Sequence, residues 1–166
     1  MSAAEPPEAA ASDVAGYLGR ALALAVRNVG SAGGPFGALV VAPDGRVFEG
    51  TNRVTATNDP TAHAEVVAIR EACRALGTFV LSGCVLYSSC EPCPLCLSAA
   101  LWARLDRVYF AADRHDAADA GFDDAAFYDY FYGRSDASLL PVEQVTVPES
   151  VEPFRSWAAL DSRIEY

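Results

Sequence analysis

Three of the chain's five cysteines, Cys90, Cys93 and Cys96, fall within the stretch "SCEPCPLC", and one of its two histidines, His63, lies upstream in "DPTAHAEVVAIR". No other feature constrains the fold as much, because these side chains mean little unless the chain brings them together. A disulfide cluster, a closed structural zinc knot and an open catalytic metal centre each need a different scaffold. Five thiols are an odd number, and the leading "MSAAEPPEAAAS" has neither the basic nor the apolar segment of a secretory leader. A reduced, cytoplasmic protein with thiolates available to a metal is therefore the expectation.

Cys93 and Cys96 stand three residues apart at the predicted start of a helix, so both thiols leave the same end of one face. The helix dipole there favours the thiolate that zinc needs. His63 follows the Pro60-Thr61 entry to a second predicted helix, from whose end its imidazole approaches the same metal. A structural zinc closes its shell with four protein donors, whereas a catalytic zinc keeps one place for water. The spare candidates for a fourth donor are Cys90, Glu65 and His115. Cys90 is predicted at the end of a buried strand, and His115 reads as structural or surface-exposed. Glu65 is better understood as a carboxylate beside the metal's water, taking a proton from it and handing that proton to a leaving group. Cys73 and Cys84 lie outside the cluster and read as small buried hydrophobes.

The rest of the chain alternates helical and extended patterns. Residues 1–11 are Ala/Pro/Glu-rich and are predicted disordered. Ser12 or Asp13 caps a helix whose apolar positions are Val14, Leu18, Leu22 and Val26, ending near Gly30. "ALVVAPDGRVFEGTN" reads as a β-hairpin about a Pro-Asp-Gly turn. A helix carrying Val66, Val67, Ile69, Ala72 and Cys73 runs to Gly77; "CVLYSS" is a third strand, residues 93–103 a helix and "RVYFAA" a fourth strand. Helical patches come next around Asp123–Phe131, then a fifth strand, "VEQVTV", and a closing helix, "ESVEPFRSWAALDSRI". The alternation predicts one α/β domain over 12–166, a three-layer α/β/α sandwich on a mixed five-stranded sheet. No apolar run approaches the roughly 20 residues that cross a bilayer.

Charge narrows the substrate. The net charge is −10, and all 12 positive residues are arginine. Such a surface repels a polyphosphate, since nucleic-acid binders concentrate positive charge on one face. A zinc-stabilised nucleic-acid module would need both that basic face and a fourth ligand. A small, weakly charged substrate fits better.

The pairing of "HAE" with "PCPLC" is the H-x-E and P-C-x-x-C pattern of zinc deaminases. The chemistry explains the residue types: zinc brings the pKa of its water to about 7, hydroxide adds to a ring carbon bearing an amino group, Glu65 moves the proton, and ammonia leaves. With "GGPFGALVV", "NDPTAHAEVVAIREAC", "LYSSCEPCPLCLSA", "WAR", "DAADAGFDDAAFY" and the terminal "EY", the chain resembles the bacterial guanine deaminase family of the cytidine-deaminase-like superfamily, from about Tyr17 to Tyr166. The resemblance implies hydrolysis of guanine to xanthine and ammonia by attack at C2, with one Zn2+ per chain held by His63, Cys93 and Cys96. It implies that Asn52 hydrogen-bonds the purine and that Phe36 packs on its ring with Trp102 nearby. Ala64 then joins the substrate contacts, Asp124 contacts the purine and shuttles a second proton, and Tyr166 closes the pocket. It also implies a homodimer in which the C-terminal segment, about 148–166, is a swapped arm reaching the partner's site. Guanosine, cytosine or cytidine, and the aminotriazine ammeline share the flat amidine and are the alternative substrates, while a tRNA substrate conflicts with the charge. Plainer readings stand beside these: Phe36 and Trp102 as core aromatics, Asp123 and Asp124 as a helix-cap pair, Asn52 as a turn residue.

Overall fold

Strand β1 (Gly37–Val41) is buried along nearly its whole length, and its residues alternate between two separate cores. Successive side chains of a strand point to opposite faces, so Ala38 and Val40 enter one core while Leu39 and Val41 enter the other. That alternation makes β1 the centre of a layered molecule. The computed structural model describes residues 11–165 apart from positions 32, 123, 135–138 and 146. Residues 1–10, which hold most of the expected N-terminal tail, lie outside the described residues, as do Asp123 and Tyr166.

The sheet has the order β2-β1-β3-β4, with β2 (Val47–Thr51), β3 (Val85–Cys90) and β4 (Arg107–Ala112). The pairs β1–β2 and β1–β3 are antiparallel and β3–β4 is parallel, so the sheet is mixed. Helix α1 (Ala11–Asn28) covers one face, burying Ala21 and Leu24 against Leu39 and Tyr87. Helix α3 (Ala64–Leu76) covers the other, placing Ala64, Ala68, Ile69 and Ala72 on Ala38, Val40 and Leu86. Helix α4 (Pro94–Trp102) adds Ala100 to that second core, as the crossover between β3 and β4. Two glycines allow the layers to close. A Cβ at Gly50 would stand 2.1 Å from the Ala64 carbonyl oxygen, and one at Gly37 would stand 2.4 Å from that of Ala21.

Several expectations are corrected. The sheet has four strands among the described residues, not five. Residues 142–145 of the expected fifth strand have no regular structure and are exposed. The physical reason is the pattern: Val145 and Val147 would share one side of a strand with Glu143, and Val142 the other side with Gln144, so neither side is continuously apolar. On α1, the spacing of four from Val14 to Val26 drifts around the helix. Val14 and Leu18 pack half-buried against the core as expected, but the fully buried residues are Ala21, Leu24, Ala25 and Asn28, and Leu22 and Val26 are exposed. The closing helix is shorter than expected, α7 (Glu152–Ala158). The helical patch expected around Asp123–Phe131 is α6 (Ala125–Phe131), and two further short helices among the described residues, α2 (Val54–Thr57) and α5 (Arg114–Asp119), are additional to the expected elements.

Candidate metal centre and active site

The N-termini of α3 and α4 meet at the carboxyl end of β3, the position where open α/β sheets bind ligands. His63 is the N-cap of α3 and Cys93 the N-cap of α4, and neither side chain makes a capping hydrogen bond. Pro94 comes next at the first turn of α4, where its missing N–H costs nothing. Cys96 projects from the first turn of α4 and is fully buried. Caps are usually Ser, Thr, Asp or Asn; here those positions are given to metal donors, at the helix ends whose dipoles favour thiolate.

The donor geometry fits zinc. With Zn–S about 2.3 Å and Zn–N about 2.0–2.1 Å, tetrahedral bonding sets S···S at about 3.8 Å and S···N at about 3.6 Å. The sulfurs of Cys93 and Cys96 are 3.7 Å apart, and each lies 3.5 Å from His63 Nδ1. Among the described residues these three form the group whose ligand atoms converge, within 4.8 Å of one another. The spare candidates stay out of it. Cys90 donates its thiol proton to the Asp113 carbonyl at 3.5 Å, and burial pushes its pKa up to about 11. His115 is exposed on α5.

Electrostatics agree with a cation site. The hydrogen bond to Cys96, helped by His63, draws the Cys93 thiol down to about 4 against the effect of burial. The same bond pushes Cys96 far above the ordinary thiol range, with burial and Glu65 adding to it. A divalent cation held between the two sulfurs would leave both as thiolates, since a coordinating thiol is deprotonated outright. His63 is held above its usual value, first by its bond to Cys93.

Glu65, at the second position of α3, is 5% exposed. Its Oε1 accepts a hydrogen bond from Ser88 Oγ at 2.9 Å, and Oε2 lies 3.4 Å from Cys96 Sγ. Burial raises its pKa, while the bonds from Ser88 and Cys96 oppose that rise.

A cavity of about 380 Å³ opens onto this centre. Phe36, Asn52, His63, Ala64, Glu65, Cys93 and Asp124 line it, so seven of the predicted site residues share one space. Asn52 Oδ1 accepts from the backbone N–H groups of Gly34 and Val54, both at 3.3 Å. Both partners are donors, so the amide oxygen must face them, and the Asn52 NH₂ is left to the cavity side. Trp102 is the exception. It is 61% exposed at the far end of α4, beside Arg104. Nine residues of helix from Cys93 carry it about 13 Å away. Tyr166 lies outside the described residues.

Three cavity groups are not singled out by the sequence pattern. Phe122 meets Phe36 edge-on, ring centroids 4.9 Å apart, and its only sequence signal is its place in "GFDD". Glu91 and Arg114 are ion-paired on the rim. Arg114 also donates from its backbone N–H and Nε to Glu91 Oε2 at 3.1 and 3.0 Å, and its guanidinium lies 3.7 Å over the Tyr128 ring. Tyr128 in turn donates to the Pro92 carbonyl at 2.8 Å. The two residues before Cys93 are therefore clamped by α5 and α6.

Fold and site together define a metal-dependent deaminase scaffold, and comparison with known proteins makes this specific. Residues 12–112 match the cytidine and deoxycytidylate deaminase zinc-binding region. The chain is 48% identical over 151 residues to guanine deaminase of Bacillus subtilis strain 168, covering 90% of this chain and 97% of that protein. The X-ray structure of guanine deaminase from Bacillus subtilis superposes with a TM-score of 0.87 at 47% identity, covering 92% of this chain and 98% of that one. A tRNA-specific adenosine deaminase of Aquifex aeolicus is 45% identical, but over 78 residues, 47% of this chain and 52% of that protein. The chain belongs to the guanine deaminase family of the cytidine-deaminase-like superfamily.

Proposed function

We propose that the protein hydrolyses guanine to xanthine and ammonia. The observation that carries this reading is the extent of the likeness: 90% of the chain matches a guanine deaminase, whereas the match to a tRNA deaminase covers 47%. The cavity supports a flat purine base. Phe36 and Phe122 supply aromatic walls, and polar groups converge from Asn52, Glu65 and Asp124. His63, Cys93 and Cys96 hold the zinc, which when bound supplies Lewis acidity that brings a water's pKa to about 7. Glu65 is placed to take one proton from the attacking water and give it to N3 beside the reacting C2, and then to hand the second proton of that water on to the departing amine. The Asn52 NH₂ donates to an acceptor on the purine edge. Asp124 accepts a ring N–H and assists the passage of that same second proton to the departing amine. Phe36 stacks on the ring, and Ala64 forms the floor at the start of α3. Tyr166 shuts the cavity, and excluding bulk water strengthens the electrostatics inside.

The working unit in this reading is a homodimer in a reducing, cytoplasmic setting, with residues 148–166 as an arm over the partner's cavity. Helix α7 supports the arm, because it buries none of its own residues and leaves Phe154 74% exposed. A seven-residue helix has little stability of its own and needs a surface to dock on. All five cysteines are free thiols, in keeping with the reducing setting. No helix of the described residues is long and apolar enough to cross a membrane.

The test is ammonia release by the zinc-loaded protein from guanine, guanosine, cytosine, adenine and ammeline. Guanine is expected to lead in kcat/KM by at least about tenfold, roughly 1.4 kcal/mol of transition-state preference. A faster reaction with any other member of the panel reassigns the substrate.

A further inference from the structure

We propose that Ser88 is the positioning residue for Glu65 and that it affects turnover only through that carboxylate. The inference rests on the reading of Glu65 as the proton carrier. Ser88 lies on β3, opposite Ala38 of β1 and Phe110 of β4, and is 1% exposed. Alternation along β3 puts it on the face of Leu86, toward α3 and the core of alanines, valine and leucine between sheet and helix. An apolar side chain is the ordinary occupant of such a place. A hydroxyl there needs a partner, and the Ser88 hydroxyl donates to Glu65 Oε1 at 2.9 Å.

The consequence is geometric. A glutamate side chain has three torsions, and nothing in the sequence of α3 sets them. Pinning Oε1 from the neighbouring strand commits Oε2 to the opposite side, where it lies 3.4 Å from Cys96 Sγ at the metal ligands. The carboxylate is thus held by two elements at once, with its backbone on α3 and its oxygen on β3. The next residue divides the labour: Ser89 Oγ accepts the Gly37 N–H at 3.1 Å and fixes the backbone after Phe36, so it serves the cavity wall and not the acid–base group. A proton carrier must lie within hydrogen-bond reach of both its donor and its acceptor. Misplacement by about 1 Å costs on the order of 10²-fold in rate.

The experiment uses the full-length, zinc-loaded enzyme. Ser88→Ala is expected to lower kcat by roughly 10- to 100-fold, with KM and zinc content unchanged. Its crystal structure is expected to show the Glu65 carboxyl in more than one rotamer. Ser88→Thr keeps the donor and should retain most of the turnover. In a Glu65→Gln background, Ser88→Ala should change kcat by less than about twofold, since residues acting through one group are not additive. Undiminished turnover in Ser88→Ala overturns the proposal, and so does an equal further loss in the Glu65→Gln background, or a threonine variant as poor as the alanine one. Should Glu65→Gln itself turn over at the wild-type rate, the assignment of Glu65 fails first, an outcome separate from the others.

Discussion

Among the described residues Glu65 is the only charged side chain that is buried. Burying a carboxylate is unfavourable unless hydrogen bonds or a cation offset it. Here the offsets are Ser88 on one oxygen and the metal ligands beside the other. Glu65→Gln keeps the size and shape of the side chain and removes the proposed proton carrier. Turnover is expected to fall by about 10² to 10⁴, while metal analysis still finds one zinc per chain; turnover near wild type would place the acid–base group elsewhere. The ligands and Glu65 are legible in the sequence because metal chemistry admits few residue types and helix starts fix their spacing. Ser88, Phe122 and Arg114 are not legible in the same way. A serine in a strand or a phenylalanine in a loop has many ordinary uses, and only the meeting of distant elements, 23 residues apart for Ser88 and Glu65, gives them a partner. Trp102 marks the opposite error, since a helix as long as α4 carries its last residue away from the centre its first residue serves.

At the scale of elements, period and turn chemistry identify α1, α3, α4 and the four strands, because each has an apolar face. They miss α2 and α5, which bury no residue. Helix α5 instead owes its start to Asp113, whose side chain accepts from the N–H groups of His115 and Asp116 while Asp116 accepts from the N–H of Asp113. That cap places Arg114 at the head of α5, facing Glu91. Glu91 sits well below the ordinary carboxylate range, chiefly through the Arg114 side chain. A depressed folded-state pKa means that the pair's stabilisation is complete at neutral pH and is lost as acid protonates Glu91, below about pH 4. The Glu91 side chain is 17% exposed, so removing its partner leaves a largely buried acceptor set unmet. Arg114→Met is expected to cost about 1–3 kcal/mol at neutral pH, a fall of roughly 2–10 °C in Tm for a domain of this size. Thermal melts at falling pH should show the gap to wild type closing. Release of zinc to a chelator should also quicken, because Glu91 and Pro92 lead directly into Cys93. A variant that melts and retains zinc like wild type would reduce the clamp to a surface ion pair.

At the scale of the molecule, the sandwich of α1, sheet and α3 is complete in one chain, whereas the segment beyond α6 leaves its apolar residues uncovered. Val142 and Val145 are 77% and 78% exposed, and Trp157 and Ile164 are also open to solvent. Apolar side chains left open to solvent along one segment are what an interaction site would cover. The proposed arm accounts for it: the segment docks on a second copy, and the residue at its end completes that copy's cavity. Cis and trans action separate cleanly when two defects are placed on different subunits. Tyr166→Ala leaves a chain with a working Glu65 and no closing tyrosine; Glu65→Gln leaves the reverse. Each homodimer should be nearly inactive. If the arm acts in trans, the mixed dimer pairs an intact Glu65 with its partner's intact Tyr166, so one of its two sites works and about half the wild-type activity per dimer returns. If the arm acts in cis, every subunit of the mixed dimer keeps a defect in its own site, and no activity returns. Co-expression with two affinity tags isolates the mixed species, sedimentation confirms that it is a dimer, and guanine turnover decides between the two arrangements.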